Sequence, residues 1–290
     1  MDPRLDIHGK KSAQILKVIN EQKRWEEMPK RREPVTVAMI KDLESASNSA
    51  GQDSLEAALY DWNVIGHYYG FRLSEWAQNA ENKAEFPLLA VDGSPLAFTF
   101  DDFQFFSAKG RHLKQDFNHK LPAKNAAVVE VRWRYQKNLD NGQKIQQVLN
   151  REDPSMCCVQ AAIRIAQRAQ RLNTSGGETL AKFTDKKGHT HFITNTMISR
   201  HLQQSAKRVY NIRSRALLAM WSAHSIRVGA CVSLSEAKKD APFIQVRLRW
   251  RSLAFKDYLR NTITLAQQHT DASNQRREYE TSLDAHQTET

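Results

Sequence analysis

Leu55-Glu-Ala-Ala-Leu-Tyr-Asp-Trp-Asn-Val-Ile-Gly-His-Tyr-Tyr69, running on into Gly70-Phe71-Arg72-Leu73-Ser74-Glu75, is the stretch that decides the fold. Leu55, Ala58, Leu59, Trp62, Ile65 and Tyr69 recur mostly three or four residues apart, the stripe of a helix buried in a core. The helix stops at Gly70 and a new one begins near Ser74, which leaves Arg72 at the break. Upstream, Ser45 to Asp53 is a polar linker and Val35 to Leu43 a short helix. Pro34 sets an extended entry after the basic run Lys30-Arg31-Arg32, and a polar helix precedes it from near Ser12 to Met28. Downstream, Phe98 to Phe106 and Val128 to Tyr135 are rich in aromatic and β-branched residues and read as strands. Asp140-Asn141-Gly142 is a hairpin turn signal, with Gln143 to Leu149 as the return strand. Helices then dominate, near 156–172, 195–209, 223–238 and 252–261, with a loop from Asn173 to Gly188. The expected fold is mainly α, a helical α+β domain with a small antiparallel sheet inserted.

Composition narrows the class of protein. The chain has 290 residues, 40% of them hydrophobic and 26% charged, enough to bury a proper core and unlike a disordered chain. No run approaches the roughly 18 apolar residues of a membrane span, so no membrane partner is expected. Three Cys, two of them adjacent (Cys157 and Cys158), make neither a disulfide framework nor a zinc pair, which points to a reducing compartment. The net charge of +11 is uneven: residues 195–262 hold thirteen Lys/Arg against three acids, while residues 263–290 are acidic. Such a cationic segment suits a polyanion such as nucleic acid.

Three short motifs bear on chemistry. Gly70-Phe71-Arg72-Leu73-Ser74-Glu75 places an arginine at a helix start. In His224-Ser225-Ile226-Arg227 the offset of three puts imidazole and guanidinium on one helical face, able to converge on one phosphate. Leu248-Arg249-Trp250-Arg251-Ser252 is followed by Tyr258, and a phenol among fixed cations is easier to ionise and so to use as a nucleophile. The Ser-Gly-Gly of the 173–188 loop lacks the Lys-Ser/Thr of a P-loop. His189-x-His191 puts two imidazoles on one face if extended; with no third ligand evident in the sequence, a polar hairpin or loop without metal is expected.

In order and spacing these motifs together resemble the tyrosine recombinase (phage integrase) family, over about Val35 to Arg260. Gly70 to Glu75 is similar to the family's first box, which makes Arg72 its first catalytic arginine and Glu75 the supporting acid. His224 to Ala230 is similar to the second, and Arg249 to Ser252 with Phe255 and Tyr258 to the end of the domain. The resemblance implies site-specific DNA cleavage and rejoining by transesterification, with Tyr258 forming a covalent 3′-phosphotyrosyl link and no metal or ATP. Arg72 and Arg227 would bind the non-bridging oxygens in bidentate fashion. His224 would share the phenol proton or bind phosphate. Trp250 would donate its indole N–H to a phosphate oxygen. The catalytic lysine lies on a β-hairpin in this family; Lys137 is the natural match, with Lys124 and Lys144 as competitors.

Double-stranded DNA is the expected partner, with self-association on DNA during synapsis. Arg200, Lys207 and Arg208 on one helix, and Arg132 and Arg134 on one face of a strand, would hold flanking phosphates. Expected domains are 1–34, the helix and basic linker left from an N-terminal clamp; 35–262, the catalytic domain; and 263–290, a polar, mobile tail. The Gln136-Lys137-Asn138 and Arg249-Trp250-Arg251-Ser252 details look like eukaryotic mobile-element versions, implying a nuclear location. The alternative is a domesticated or truncated DNA-binding protein that no longer performs strand exchange.

Overall fold

A computed structural model describes residues 12–25, 31–77, 89–90, 92–113, 125–136, 140–175, 177–259 and 270. Among them the elements run α1 (Ala13–Trp25), α2 (Val37–Asn48), α3 (Leu55–Tyr69), α4 (Leu73–Trp76), β1 (Phe103–Phe106), β2 (His112–Leu113), β3 (Val128–Arg132) and β4 (Lys144–Val148). They continue with α5 (Cys158–Arg171), β5 (Lys182–Thr184), β6 (Thr190–Phe192), α6 (Asn195–Tyr210), α7 (Arg215–Leu218), α8 (His224–Glu236) and α9 (Ala241–Leu248), closing on a 3₁₀ helix, Leu253–Tyr258. The fold is mainly helical with small antiparallel sheets. None of the described helices is long and apolar enough to cross a membrane.

Helix α3 is the central element, packed against α2, α5 and α8. Ser54 caps its first turn by accepting from the Ala57 N–H at 3.2 Å, and Gly70 ends it in the left-handed region at φ 57°. A glycine suits that conformation because a Cβ there is sterically disfavoured. The buried stripe carries Trp62, which stacks on Trp76 at 5.1 Å and meets Phe71, Phe98 and Phe103. The four-stranded antiparallel sheet has the order β2-β1-β3-β4. Its register pairs Phe103 with Val131 and Val131 with Ile145, and these side chains are all buried. A smaller apolar cluster (Ala230, Cys231, Ile244, Leu248 and Phe255) joins α8, α9 and the 3₁₀ helix. That cluster fixes the segment carrying Tyr258.

Several elements depart from expectation. The strand expected over 98–106 begins only at Phe103, because Asp102 accepts from the Thr99 N–H at 2.8 Å and winds residues 100–102 into a 3₁₀ turn. The 128–135 strand ends at Arg132, though Trp133 still donates to the Gln143 carbonyl. The 173–188 loop contains β5, which pairs with β6. Helix α9 was not anticipated, and the 252–261 helix is the shorter 3₁₀ turn. The polar helix is described over Ala13–Trp25, and most of the 263–290 segment lies outside the described residues.

Candidate active site

The break after α3 builds the first wall. The Gly70 N–H donates to the Gly66 carbonyl at 2.7 Å, while its own carbonyl turns to accept from Arg227 Nη1. Two residues on, Arg72 is the N-cap of α4. Its backbone N–H donates to Glu75 Oε2 at 3.0 Å, and its Nη1 meets Glu75 Oε1 at 3.2 Å. Glu75 is buried and receives two further donors: Trp133 Nε1 at 3.2 Å and Arg249 Nη2 at 2.8 Å.

Arg227 and His224 lie one turn apart on α8 and face the same cleft. Arg227 is 2% exposed, donates to the Leu248 carbonyl at 3.0 Å and lies over the Trp250 ring at 4.2 Å. Burial, then repulsion from Arg249 and Arg72, lowers its pKa to about 9, so it stays charged at neutral pH. Arg249, at φ 57° where α9 ends, is also buried; it lies over Trp133 at 3.9 Å and donates to the Tyr69 carbonyl. Burial lowers its pKa to about 10. Two guanidiniums, those of Arg72 and Arg249, thus pair with one carboxylate, Arg227 feels its charge without touching it, and the four side chains carry a formal net charge of +2.

His224 stands at the open mouth of the cleft, its Nε2 3.0 Å from the Tyr258 hydroxyl. Protein packed behind the ring, then the guanidiniums of Arg227 and Arg32, push its pKa below the usual imidazole range. A neutral imidazole beside a phenol is an acceptor for the phenol proton. Trp250 packs on Tyr258 at 5.6 Å between ring centroids, and its buried indole N–H has no acceptor among the described residues. The cleft measures about 680 Å³; Arg32, Arg72, His224, Arg227 and Trp250 line it, with the polar ridge Asn195, Ser199 and Gln203 of α6 opposite. A cleft of similar volume between α2, α3 and α5 holds Arg164 and Arg168, both already bonded to Asp61.

The structure therefore brings together Arg72, Glu75, His224, Arg227, Trp250 and Tyr258. Lys137 and Lys124 lie outside the described residues. Lys144 pairs with Glu130 on the neighbouring strand at 3.1 Å. Arg251 pairs with Asp140, which ties the turn after the Gln136 segment to the neighbour of Trp250. Arg132 and Arg134 do share a face, but both turn onto buried Asp102, at 3.6 and 2.8 Å. Arg134 also donates to the Ala97 carbonyl, so that face is an internal ion-pair site. On α6, Arg200 and Lys207 are exposed, whereas Arg208 makes two hydrogen bonds to Asp42. Sequence reasoning assigned no role to Arg249, Trp133 or Arg32. For Arg249 the signal was its place beside Trp250; for Trp133 and Arg32 there was none, because their contacts are long-range.

A phenol within hydrogen-bond distance of an imidazole, at the edge of a cationic cleft, has the donor–acceptor arrangement that a nucleophilic hydroxyl requires. No protein-family model matches the sequence, and no curated protein does. Among solved structures the chain is similar to the crystal structure of XerA recombinase, at 15% identity and a TM-score of 0.43, covering 89% of this chain and 73% of that one. It is also similar to the Tn1549 transposon integrase in complex with circular intermediate DNA (17% identity, TM-score 0.36), over 80% of this chain and 62% of that one. The same integrase in complex with transposon right end DNA gives 14% identity and a TM-score of 0.35, over 82% and 67%.

Proposed function

We propose that this chain cleaves and rejoins DNA by transesterification, as a site-specific recombinase or integrase of the tyrosine type. The observation that carries the proposal is the Tyr258 hydroxyl, 3.0 Å from His224 Nε2 and packed on Trp250, which in turn lies on the buried Arg227. Tyr258 attacks the phosphorus of a phosphodiester, His224 takes its proton, and a 3′-phosphotyrosyl bond replaces the bond to the departing 5′-oxygen. Arg72 and Arg227 bind the non-bridging oxygens. The doubly negative phosphorane meets a cluster whose net charge is already +2. The indole N–H of Trp250 gains its acceptor there. Lys137, which in sequence lies three residues before the Asp140 that is tied to Arg251, protonates the leaving oxygen. The bond energy is conserved, so the reverse attack by a 5′-hydroxyl rejoins the strand.

The test is a nicked suicide duplex, from which the cleaved fragment escapes and traps the covalent adduct. Wild-type protein gives an adduct of protein plus oligonucleotide on denaturing gels, and Tyr258→Phe gives none. An adduct that persists in Tyr258→Phe assigns the nucleophile elsewhere. Tight DNA binding with no adduct on any duplex favours a binding protein that does not cut.

A further inference from the structure

We propose that the β5–β6 hairpin is a divalent transition-metal site, with Asp185, His189 and His191 as ligands and zinc the ion it fits. The sequence alone offers only the two imidazoles; the fold supplies the third ligand. One donor atom from each of the three side chains lies within 4.8 Å of the others.

Asp185 is pre-positioned. Its Oδ1 accepts from the Lys187 and His189 N–H groups at 2.8 and 2.9 Å, which closes the hairpin turn. Its Oδ2 is turned toward His191 Nε2 at 2.9 Å and His189 Nδ1 at 3.6 Å. The carboxylate thus has one oxygen held by backbone and the other aimed at both rings, the arrangement that orients a metal-binding carboxylate. The rings stand at 89° with centroids 6.5 Å apart, so the nitrogens approach from different directions. Tetrahedral zinc with bonds of about 2.0–2.2 Å sets its ligand atoms roughly 3.3 Å apart. The two Asp185–imidazole distances bracket that separation.

Two imidazoles and a carboxylate suit zinc and its neighbours rather than calcium or magnesium. Side-chain exposures of 70% for His189 and 44% for His191 let water complete the shell. On binding, the metal displaces the proton shared by Asp185 Oδ2 and His191 Nε2, which moves to Nδ1 of the same ring. The neighbouring Lys186 and Lys187 oppose a cation and keep the affinity moderate. The hairpin leads directly through Ile193 and the N-cap Thr194 into α6, whose Asn195 and Ser199 line the candidate active site.

Titration of ZnCl₂ into the full chain against a chromophoric chelator reads the site. The wild type should bind one ion, and His189→Ala, His191→Ala and Asp185→Asn should each weaken it by about tenfold or more with an unchanged circular dichroism spectrum. Cobalt should give visible bands of nitrogen and oxygen ligation without a thiolate band. Three results overturn the proposal: no zinc held at submillimolar free ion, equal affinity in the His189→Ala/His191→Ala double variant, or a thiolate band that transfers the ion to a cysteine.

Discussion

Glu75 takes hydrogen bonds from the Arg72 backbone and guanidinium, from the Trp133 indole and from Arg249, so one buried carboxylate joins α4, the sheet and the end of α9. It aligns Arg72 and offsets only part of the charge of the three arginines, which leaves Arg227 ready for an anion. That Arg72, His224, Arg227 and Tyr258 would gather at one place was suggested by the order of their motifs along the chain. Only the His224–Arg227 offset is local, since Tyr258 meets His224 across 34 residues and Arg227 meets the Gly70 carbonyl across 157. Arg249 was not legible in this way, because its role depends on Glu75, 174 residues away. At His224 the electrostatics make a kinetic prediction. The neutral ring is the form that accepts the Tyr258 proton, and its pKa lies below the ordinary value. The rate of suicide-duplex cleavage should therefore hold steady as pH falls to about 6.5 and drop only below it. Arg32→Gln removes one of the repelling cations and should move that acid limb upward. A limb already at or above 6.5, or one indifferent to Arg32→Gln, would remove His224 from the role of base.

The elements differ in how plainly the sequence announced them. Helix α3 was legible from its stripe, and β4 from the Asn141-Gly142 turn. Helix α9 was obscured because its eight residues have little amphipathic contrast, although Asp240 followed by Pro242 is a start signal and Asp240 does accept from the Phe243 N–H at 2.8 Å. The short β5 had no alternation to read and exists through its pairing with β6. Helix α8 is held by a contact that no pattern shows: Gly229 lies against the chain entering α2, where the Val35 N–H donates to the Ser225 carbonyl at 3.0 Å. A Cβ on Gly229 would sit 2.2 Å from the Val35 carbonyl oxygen, and that neighbour is backbone. Alanine ordinarily favours a helix over glycine by up to about 1 kcal/mol, but here the clash decides the sign. Gly229→Ala should destabilise by about 1–3 kcal/mol, read as a lower urea midpoint with unchanged slope. Gly51→Ala, with open space around it, is the control and should leave the midpoint in place. Equal midpoints for both variants would mean that α8 does not rest on Val35 this closely.

At the scale of the whole molecule, the net charge of +11 overstates what faces a ligand. Arg132 and Arg134 serve Asp102, Arg164 and Arg168 serve Asp61, Arg171 serves Asp53, and Arg208 serves Asp42. These pairs hold elements together, and breaking one to reach a phosphate would expose its carboxylate to the same anion. Arg200 and Lys207 instead stand exposed on α6, the helix whose Asn195, Ser199 and Gln203 ridge lines the cleft. The proposed DNA binding should therefore draw on selected cations and not on the total. Each phosphate neutralised contributes about 0.9 to the slope of log affinity against log salt concentration. Arg200→Gln and Lys207→Gln should each reduce that slope by about 1, weakening binding similarly on every duplex sequence. Arg208→Gln should leave the slope nearly unchanged and act mainly on stability, by freeing Asp42. Arg227→Ala should abolish cleavage while most of the affinity survives, because the cations outside the cleft still hold the backbone. Fluorescence anisotropy across a salt series separates these cases. A loss of slope for Arg208→Gln equal to that for Lys207→Gln would show that the Asp42 pair opens on DNA, and that the count of paired cations does not set the interface.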